Sequence, residues 1–148
     1  MSHSFTHLVF HIVYATKHRH PCIEDAIQPD LYALLGNVVR SQGGVSFAVN
    51  GMSDHVHLLA RLPPSRALSD VVRAMKTSSS TWLGTVVPEF AWQTGYSAFT
   101  VSKSNAETVR RYIENQKQHH AERNYLDEFR ALLQAHEFDP ADAETHME

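Results

Sequence analysis

The chain has 148 residues, of which 43% are hydrophobic and 20% charged, and its net charge is −3; this is typical of one globular domain with its own core. No apolar run could span a membrane and no signal-peptide pattern begins the chain, so we expect a cytoplasmic protein without a membrane partner. The single cysteine, Cys22, excludes an internal disulfide and a zinc site built on cysteines.

The charge is distributed unevenly along the chain. Residues 1–126 contain 12 Lys and Arg against 9 Asp and Glu, whereas residues 127–148 contain one Arg against 7 acidic residues. The body of the chain is therefore mildly basic, which is compatible with nucleic-acid binding, and the tail is acidic. The eleven histidines include three close pairs, which favours a site over random usage.

The first third of the chain predicts a strand, a helix and a second strand. Residues 5–16 have the pattern of a buried middle strand. In the basic loop that follows, Lys17 and Arg19 are either solvated or in contact with phosphate, and we favour phosphate contact because the loop leaves a central strand. Residues 23–42 predict a helix that ends at Gly43, and residues 45–50 a strand in a hairpin with the next one.

Residues 51–60 predict a strand that carries His55 and His57. Side chains alternate along a strand, so the two imidazoles project from the same side, about 7 Å apart, while Val56 and Leu58 point into a core. Two imidazoles on a rigid strand can bind a divalent metal ion. The alternative is a pair of surface histidines on a half-exposed strand.

A second helix is predicted from Ser69, as its N-cap, to about residue 83. One side is apolar, and the other carries Lys76 and a run of hydroxyl residues that includes Ser78 and Ser79. This run is either a solvated helix end or a set of donors for phosphate oxygens. An aromatic loop follows, in which Trp92 is expected to be a packing anchor, and then a last strand at residues 97–102.

A third helix is predicted from about residue 105 to residue 123, and a short helix from about residue 125. The order of elements predicts an α+β fold of the ferredoxin-like (split βαβ) type, an antiparallel sheet with helices on one face, plus a C-terminal helix for catalysis. We divide the chain into a domain at 1–124 and a C-terminal helix with an acidic tail at 125–148.

The third helix has a polar face where a core-packing helix would be apolar. Tyr112, Gln116 and one of His119 and His120 are spaced to share that face. A free phenol, with a pKa of about 10, is a weak nucleophile at neutral pH. Beside a divalent cation and basic side chains it can attack a polarised phosphodiester. The alternative is a packed Tyr112 ring whose hydroxyl contacts water.

Two of these motifs resemble those of a known family. His55-Val56-His57 resembles the HUH motif. The Tyr-Ile-Glu-Asn-Gln segment that begins at Tyr112 is similar to the nucleophile helix of the single-tyrosine HUH transposases, the insertion-sequence-200-like family, which includes the REP-associated tyrosine transposases. The likeness spans about residues 5–121, and the order and spacing of the two motifs make it specific.

The resemblance implies a homodimer that cuts and rejoins single-stranded DNA at hairpin-marked ends, with Tyr112 as the nucleophile that forms a 5′-phosphotyrosine. It implies Mg²⁺ or Mn²⁺ held by three ligands: His55, His57 and Gln116. Further candidates, as ligands or as supporting residues, are Asp54, His119 and His120. The sequence leaves open whether Tyr112 acts on its own subunit's histidines or on those of a partner. The predicted DNA contacts are Lys17, Arg19, Lys76, Ser78, Ser79, Arg110, Arg111 and Lys117.

Two other functions are compatible with these residues. A zinc-dependent hydrolase would use the histidines and leave Tyr112 as a hydrogen-bond donor, although no glutamate occupies the base position of a His-Glu-x-x-His motif. A non-catalytic nucleic-acid-binding relative would keep the basic residues but would have no use for the Tyr/Gln/His face.

Overall fold

The computed structural model describes residues 4–121 and 123–146, and within these residues four strands form one antiparallel sheet in the order β2-β3-β1-β4. The strands are β1 (Val9–Ala15), β2 (Val45–Gly51), β3 (His55–Arg61) and β4 (Ser97–Thr100). The crossover helices are α1 (Gln28–Ser41), after β1, and α2 (Leu68–Val86), after β3. This is the split βαβ arrangement, so the predicted α+β, ferredoxin-like fold is confirmed. No helix in the described parts of the chain has the length and apolar character that crossing a membrane requires.

Both crossover helices pack on one face of the sheet. Ile12 of β1 and Val56 and Leu58 of β3 are fully buried there among apolar side chains of α1 and α2. Because side chains alternate along a strand, His55 and His57 project from the opposite face. The predicted orientation of the histidine pair is therefore confirmed.

The helices that follow β4 cover this opposite face. They are α3 (Ala106–Glu114), α4 (Gln116–His119), α5 (Tyr125–Ala135) and α6 (Asp142–His146). Ile113 of α3 shares a buried cluster with Leu59 of β3, and Phe129 of α5 shares another with Val13 of β1. The segment after residue 124 thus packs on the sheet, and the proposed division of the chain there stays a prediction.

Several predicted boundaries were wrong. The first strand begins at Val9, and α1 begins at Gln28 because residues 25–27 form a turn. The N-cap of α2 is Ala67 and not Ser69. The third helix is not continuous, because Asn115 (φ −96°, ψ 18°) interrupts it and separates α3 from α4.

Polar contacts fasten the end of α3 to the β2–β3 connection. A side chain at Gly51 would place its Cβ 2.2 Å from the carbonyl oxygen of His55, so this tight turn requires glycine. The Asn50 side-chain amide donates to the carbonyl of Ile113 at 3.0 Å, and Lys117 Nζ donates to the carbonyl of Gly51 at 2.5 Å. These contacts hold the third-helix segment over β3.

Candidate active site

The histidine pair lies at the centre of the sheet, and its environment is built by three strands. His55 and His57 are fully buried, and β3 pairs with β1 on one side and with β2 on the other. On β1, His11 faces the same way, and its ring stacks on His57 with centroids 5.1 Å apart. An imidazole cluster therefore occupies the face that the apolar core does not use.

Each imidazole of the pair has its Nδ1 atom held by a neighbour. His55 Nδ1 donates to Asp54 Oδ1 at 2.7 Å, and His57 Nδ1 is hydrogen-bonded to His11 Nε2 at 2.8 Å. The Nε2 atoms of both rings are left facing the same oxygen atom, Glu128 Oε1. Such support of the remote ring nitrogen is typical of metal-binding histidines because it fixes the orientation of the ring. Asp54 thus occupies the position of a supporting residue.

The Nε2 atoms converge on the carboxylate of Glu128, which α5 contributes. Glu128 Oε1 lies 3.0 Å from His57 Nε2 and 3.4 Å from His55 Nε2. His120 Nε2 lies 3.0 Å from the same oxygen. The carboxylate is fully buried, so these contacts supply its partners.

Sequence reasoning did not identify Glu128, although a signal was present. Tyr125, Phe129 and Leu133 are the buried apolar positions of α5, and Glu128 lies on the same side of the helix. An acidic residue within an apolar stripe is rarely buried unless it is paired. Its partners could not be read from α5 alone, because they lie on β3, on α3 and α4, and just after α4.

Tyr112 and Gln116 reach the same carboxylate. The Tyr112 hydroxyl donates to Glu128 Oε2, and Gln116 Nε2 donates to that oxygen at 2.9 Å. Gln116 Oε1 lies 3.3 Å from His55 Nε2. The interruption at Asn115 leaves the two side chains on one face, and Tyr112 meets the histidine pair within a single chain.

The adjacent histidines after Gln116 have different positions. His120 contacts the carboxylate, as described. His119 stacks on the Tyr112 ring with centroids 4.7 Å apart, and its buried Nε2 has no hydrogen-bond partner within the described part of the chain. His120 thus lies with the ligand candidates and His119 beside the candidate nucleophile. Metal coordination by either stays a prediction.

Burial and hydrogen bonds set the protonation of the site. Burial lowers the pKa of His57 to about 4, which keeps this imidazole neutral, as a metal ligand must be. Burial also acts to lower the pKa of His55, but the hydrogen bonds to Asp54 and Glu128 raise it overall. For Glu128, burial acts to raise the pKa, yet hydrogen bonds from the three imidazoles hold it well below its usual range. The pKa of Tyr112 is raised, mainly by burial and next by the charge of Glu128. Tyr112 is therefore a neutral phenol at neutral pH.

The cluster has the composition and size of a metal site. Three candidate ligand atoms lie within 4.8 Å of one another, one each from His55, His57 and Glu128. Imidazole nitrogens with a carboxylate oxygen suit a divalent transition-metal ion such as Mn²⁺. The predicted histidine ligands are thus in suitable positions, and the identity of the metal stays a prediction.

The predicted DNA contacts fall into two groups, and the first contains five exposed or half-buried residues. Lys17, Ser78, Arg110 and Arg111 are exposed and Arg19 is half-buried. Of these, Arg110 forms an ion pair within α3, with its Nε 2.8 Å from Glu114 Oε1. These side chains are on the surface, and their contact with DNA stays a prediction.

The other three predicted DNA contacts have internal partners. Lys76 Nζ donates to the carbonyl of Gln93 at 2.9 Å. Lys117 Nζ donates to Gln28 Oε1 at 2.6 Å as well as to the β2–β3 turn. The fully buried Ser79 donates to the carbonyl of Met75 at 2.6 Å. The sequence did not reveal the lysine partners, which lie 17 and 89 residues away.

Comparison with known proteins supports the family resemblance. The family described as Transposase IS200 like matches residues 4–116, more than half of the chain. The chain belongs to this family. The IS200-like match ends at Gln116, so Glu128 and the whole of α5 lie beyond it.

Comparisons of this IS200-like transposase with individual proteins give the same family. The chain is similar to the ISDra2 transposase TnpA of Deinococcus radiodurans, with 27% identity over 117 residues, which cover 74% of this chain and 84% of that protein. A crystal structure of a Deinococcus radiodurans protein assigned as a transposase has 28% identity and a TM-score of 0.63, over 78% of this chain and 95% of that one. The structure of a REP-associated tyrosine transposase bound to a REP hairpin has 16% identity and a TM-score of 0.62, over 81% and 74%, and shows the shared fold.

Proposed function

We propose that this transposase cuts and rejoins single-stranded DNA at hairpin-marked ends through a 5′-phosphotyrosine on Tyr112, with Mg²⁺ or Mn²⁺ at the histidine pair. The proposal is carried by one observation: the Tyr112 hydroxyl and the Nε2 atoms of His55 and His57 meet at one carboxylate within one chain. The REP hairpin bound by a relative of the same fold supports hairpin DNA as the substrate.

In the proposed reaction the phenolic oxygen of Tyr112 attacks the scissile phosphorus. A bond forms between this oxygen and phosphorus, and the bond to the 3′ oxygen breaks, which leaves a 3′-hydroxyl and a phosphotyrosine on the 5′ end. Attack by a 3′-hydroxyl reverses the step and rejoins strands without ATP. A divalent cation held by His55, His57 and Gln116 would polarise the phosphate as a Lewis acid.

The side chains around Tyr112 orient it for this role. Its hydroxyl donates to Glu128 Oε2, which fixes the direction of the phenolic oxygen. Because the pKa of Tyr112 is raised and that of Glu128 is held low, loss of the phenolic proton would depend on a divalent cation lowering the pKa of Tyr112. The stacked His119 ring restricts the plane of the phenol. Tyr112 is therefore held with its oxygen toward the histidine pair.

Access of DNA requires a movement at the site. His55, His57 and Gln116 are fully buried, whereas Tyr112 is partly exposed. A phosphodiester thus reaches the imidazoles only when the Tyr112 ring or α5 shifts. Lys17 and Arg111, which are exposed, would supply phosphate contacts, the contacts that position nucleic acid without reading its sequence.

Covalent trapping tests this function. The protein is incubated with Mn²⁺ and end-labelled single strands that carry the imperfect palindromes flanking its gene, and adducts are resolved on denaturing gels. We expect an adduct with the wild type and with Tyr96→Phe, a control at a partly exposed tyrosine outside the site, and none with Tyr112→Phe. His57→Ala should also form none, yet keep most of its hairpin binding because phosphate contacts supply much of the affinity.

Two outcomes would contradict the proposal. One is the absence of an adduct on every strand tested. The other is strand breakage that is unchanged by Tyr112→Phe, which would favour the zinc-dependent hydrolase. We include a homodimer in the proposal on the strength of the family resemblance, and sedimentation equilibrium of the full chain measures it.

A further inference from the structure

Glu128 lies twelve residues after Gln116, outside the segment that matches the family. We propose that Glu128 is itself a ligand of the divalent cation in the DNA-free protein, together with His55 and His57. The inference rests on the proposed function in one respect, namely that the histidine pair holds a cation. It adds a ligand from the C-terminal helix α5.

The two distances from Glu128 Oε1 to the histidine nitrogens match those between ligands in a coordination sphere, and all three ligand atoms lie within 4.8 Å of one another. Glu128 Oε1 lies 3.0 Å from His57 Nε2 and 3.4 Å from His55 Nε2. With metal–ligand bonds of about 2.1 Å, two ligands at 90° lie about 3.0 Å apart and two at a tetrahedral angle about 3.4 Å apart. These side-chain positions are therefore compatible with a shared cation.

Within the described part of the chain, no Lys or Arg is a hydrogen-bond or ion-pair partner of the Glu128 carboxylate. A fully buried carboxylate is unfavourable unless it is paired, and Lys or Arg is the usual partner. Among the described residues, the hydrogen-bond and ion-pair partners of Glu128 are imidazoles, an amide and a phenol. A divalent cation would supply a permanent positive charge next to this carboxylate.

The second carboxylate oxygen is compatible with this role. Glu128 Oε2 accepts the hydrogen bonds of Tyr112 and Gln116, while Oε1 faces the histidines. Binding of a cation through Oε1 leaves both hydrogen bonds in place. A carboxylate oxygen added to two imidazoles also makes the site better suited to Mn²⁺ or Mg²⁺ than two imidazoles alone.

A competing explanation is that the carboxylate takes the place of the cation. In that case its oxygen would compete with the metal for the same three imidazoles, and removal of its charge would strengthen metal binding. The two explanations predict effects of opposite sign, so one measurement separates them.

The test is a Mn²⁺ titration of the full, DNA-free chain, followed by the EPR signal of free Mn²⁺. We expect one Mn²⁺ per wild-type chain, and an affinity at least about tenfold lower for Glu128→Gln, which keeps the shape of the side chain. Asp127→Asn is the matched control, because it removes the same charge from the neighbouring, 57% exposed position of α5 and should leave the affinity unchanged. His57→Ala should abolish binding.

The outcomes distinguish this inference from the proposed function. If Glu128→Gln binds Mn²⁺ as tightly as the wild type or more tightly, while His57→Ala does not bind, the inference is overturned and the proposed function stands. If the wild type binds no Mn²⁺, both fail. If Glu128→Gln weakens binding but no DNA adduct forms, the inference holds and the proposed reaction fails.

A second measurement does not depend on the folding of any variant. Wild-type crystals soaked in MnCl₂ are examined for anomalous scattering. We expect a peak within about 2.3 Å of a Glu128 oxygen and of the Nε2 atoms of His55 and His57. A peak at the two histidines but more than about 3 Å from both Glu128 oxygens would overturn the inference.

Discussion

The two faces of the short strand β3 differ in what stabilises them: one is packed among apolar side chains and the other makes individual polar contacts. On one face, Val56 and Leu58 pack among the apolar side chains of α1 and α2, where volume and shape matter more than the identity of single atoms. On the other face, the Nε2 atoms of His55 and His57 each have an individual polar partner. Alternation along the strand decides which face a side chain takes, and contacts from distant segments decide what that face does.

The largest effect is expected on the apolar face. Leu58→Ala removes fully buried atoms from the centre of the sheet, so the free energy of unfolding should fall by about 2–5 kcal/mol. Urea denaturation followed by circular dichroism measures this loss. Val45→Ala, on the edge strand and 37% exposed, is the control and should cost less than about 1 kcal/mol.

The same variant tests whether the two faces are separable. Under conditions in which Leu58→Ala is folded, its Mn²⁺ affinity should equal that of the wild type. A loss of affinity comparable to that of His57→Ala would show that packing under the strand governs the site, and the contrast between the faces would fail.

An intermediate effect is expected on the polar face from a substitution of His11, whose ring nitrogen is hydrogen-bonded to His57. Cation binding through His57 Nε2 requires the proton on Nδ1, where His11 Nε2 can accept it. Burial and the neighbouring His57 lower the pKa of His11 well below its ordinary value, so His11 stays neutral and able to accept. His11→Phe keeps a ring beside His57 but removes the acceptor, and should weaken Mn²⁺ binding about 10- to 100-fold.

The conservative variant at this position makes the measurement specific. His11→Gln offers a carbonyl oxygen as an acceptor and should recover most of the affinity that His11→Phe loses. The same Mn²⁺ titration measures both variants. Equal affinities for wild type and His11→Phe would mean that packing alone orients His57, and the polar face would then resemble the apolar one.

Local sequence patterns were sufficient for the fold and for part of the site. The period of two in β3 placed His55 and His57 on one side, and the four-residue spacing of Tyr112 and Gln116 placed them on one helical face. The order of elements then predicted the sheet topology. These features depend on residues that are close in sequence, so they can be predicted from one amino-acid sequence.

What the sequence did not reveal depends on contacts between distant segments. Glu128 lies 71 residues from His57, and no local pattern links the two. Lys117 looks like a surface cation, yet its ammonium group contacts a turn 66 residues away. A charged side chain has the same local signature whether it contacts only water or a distant segment of the chain, so these roles needed the structure.

The smallest effect is expected at Ser79, a polar residue on the apolar side of the sheet. Its hydroxyl donates to Met75 and accepts the indole N–H of Trp92 at 2.9 Å. Ser79→Ala leaves that buried N–H without an acceptor and should lower the free energy of unfolding by about 1–2 kcal/mol, with hairpin binding unchanged in a filter-binding assay. Ser78→Ala, at the exposed neighbour, should change the free energy of unfolding by less than about 0.5 kcal/mol. If Ser79→Ala instead weakened hairpin binding at constant stability, Ser79 would contact DNA, and polar groups on the apolar side would not be purely structural.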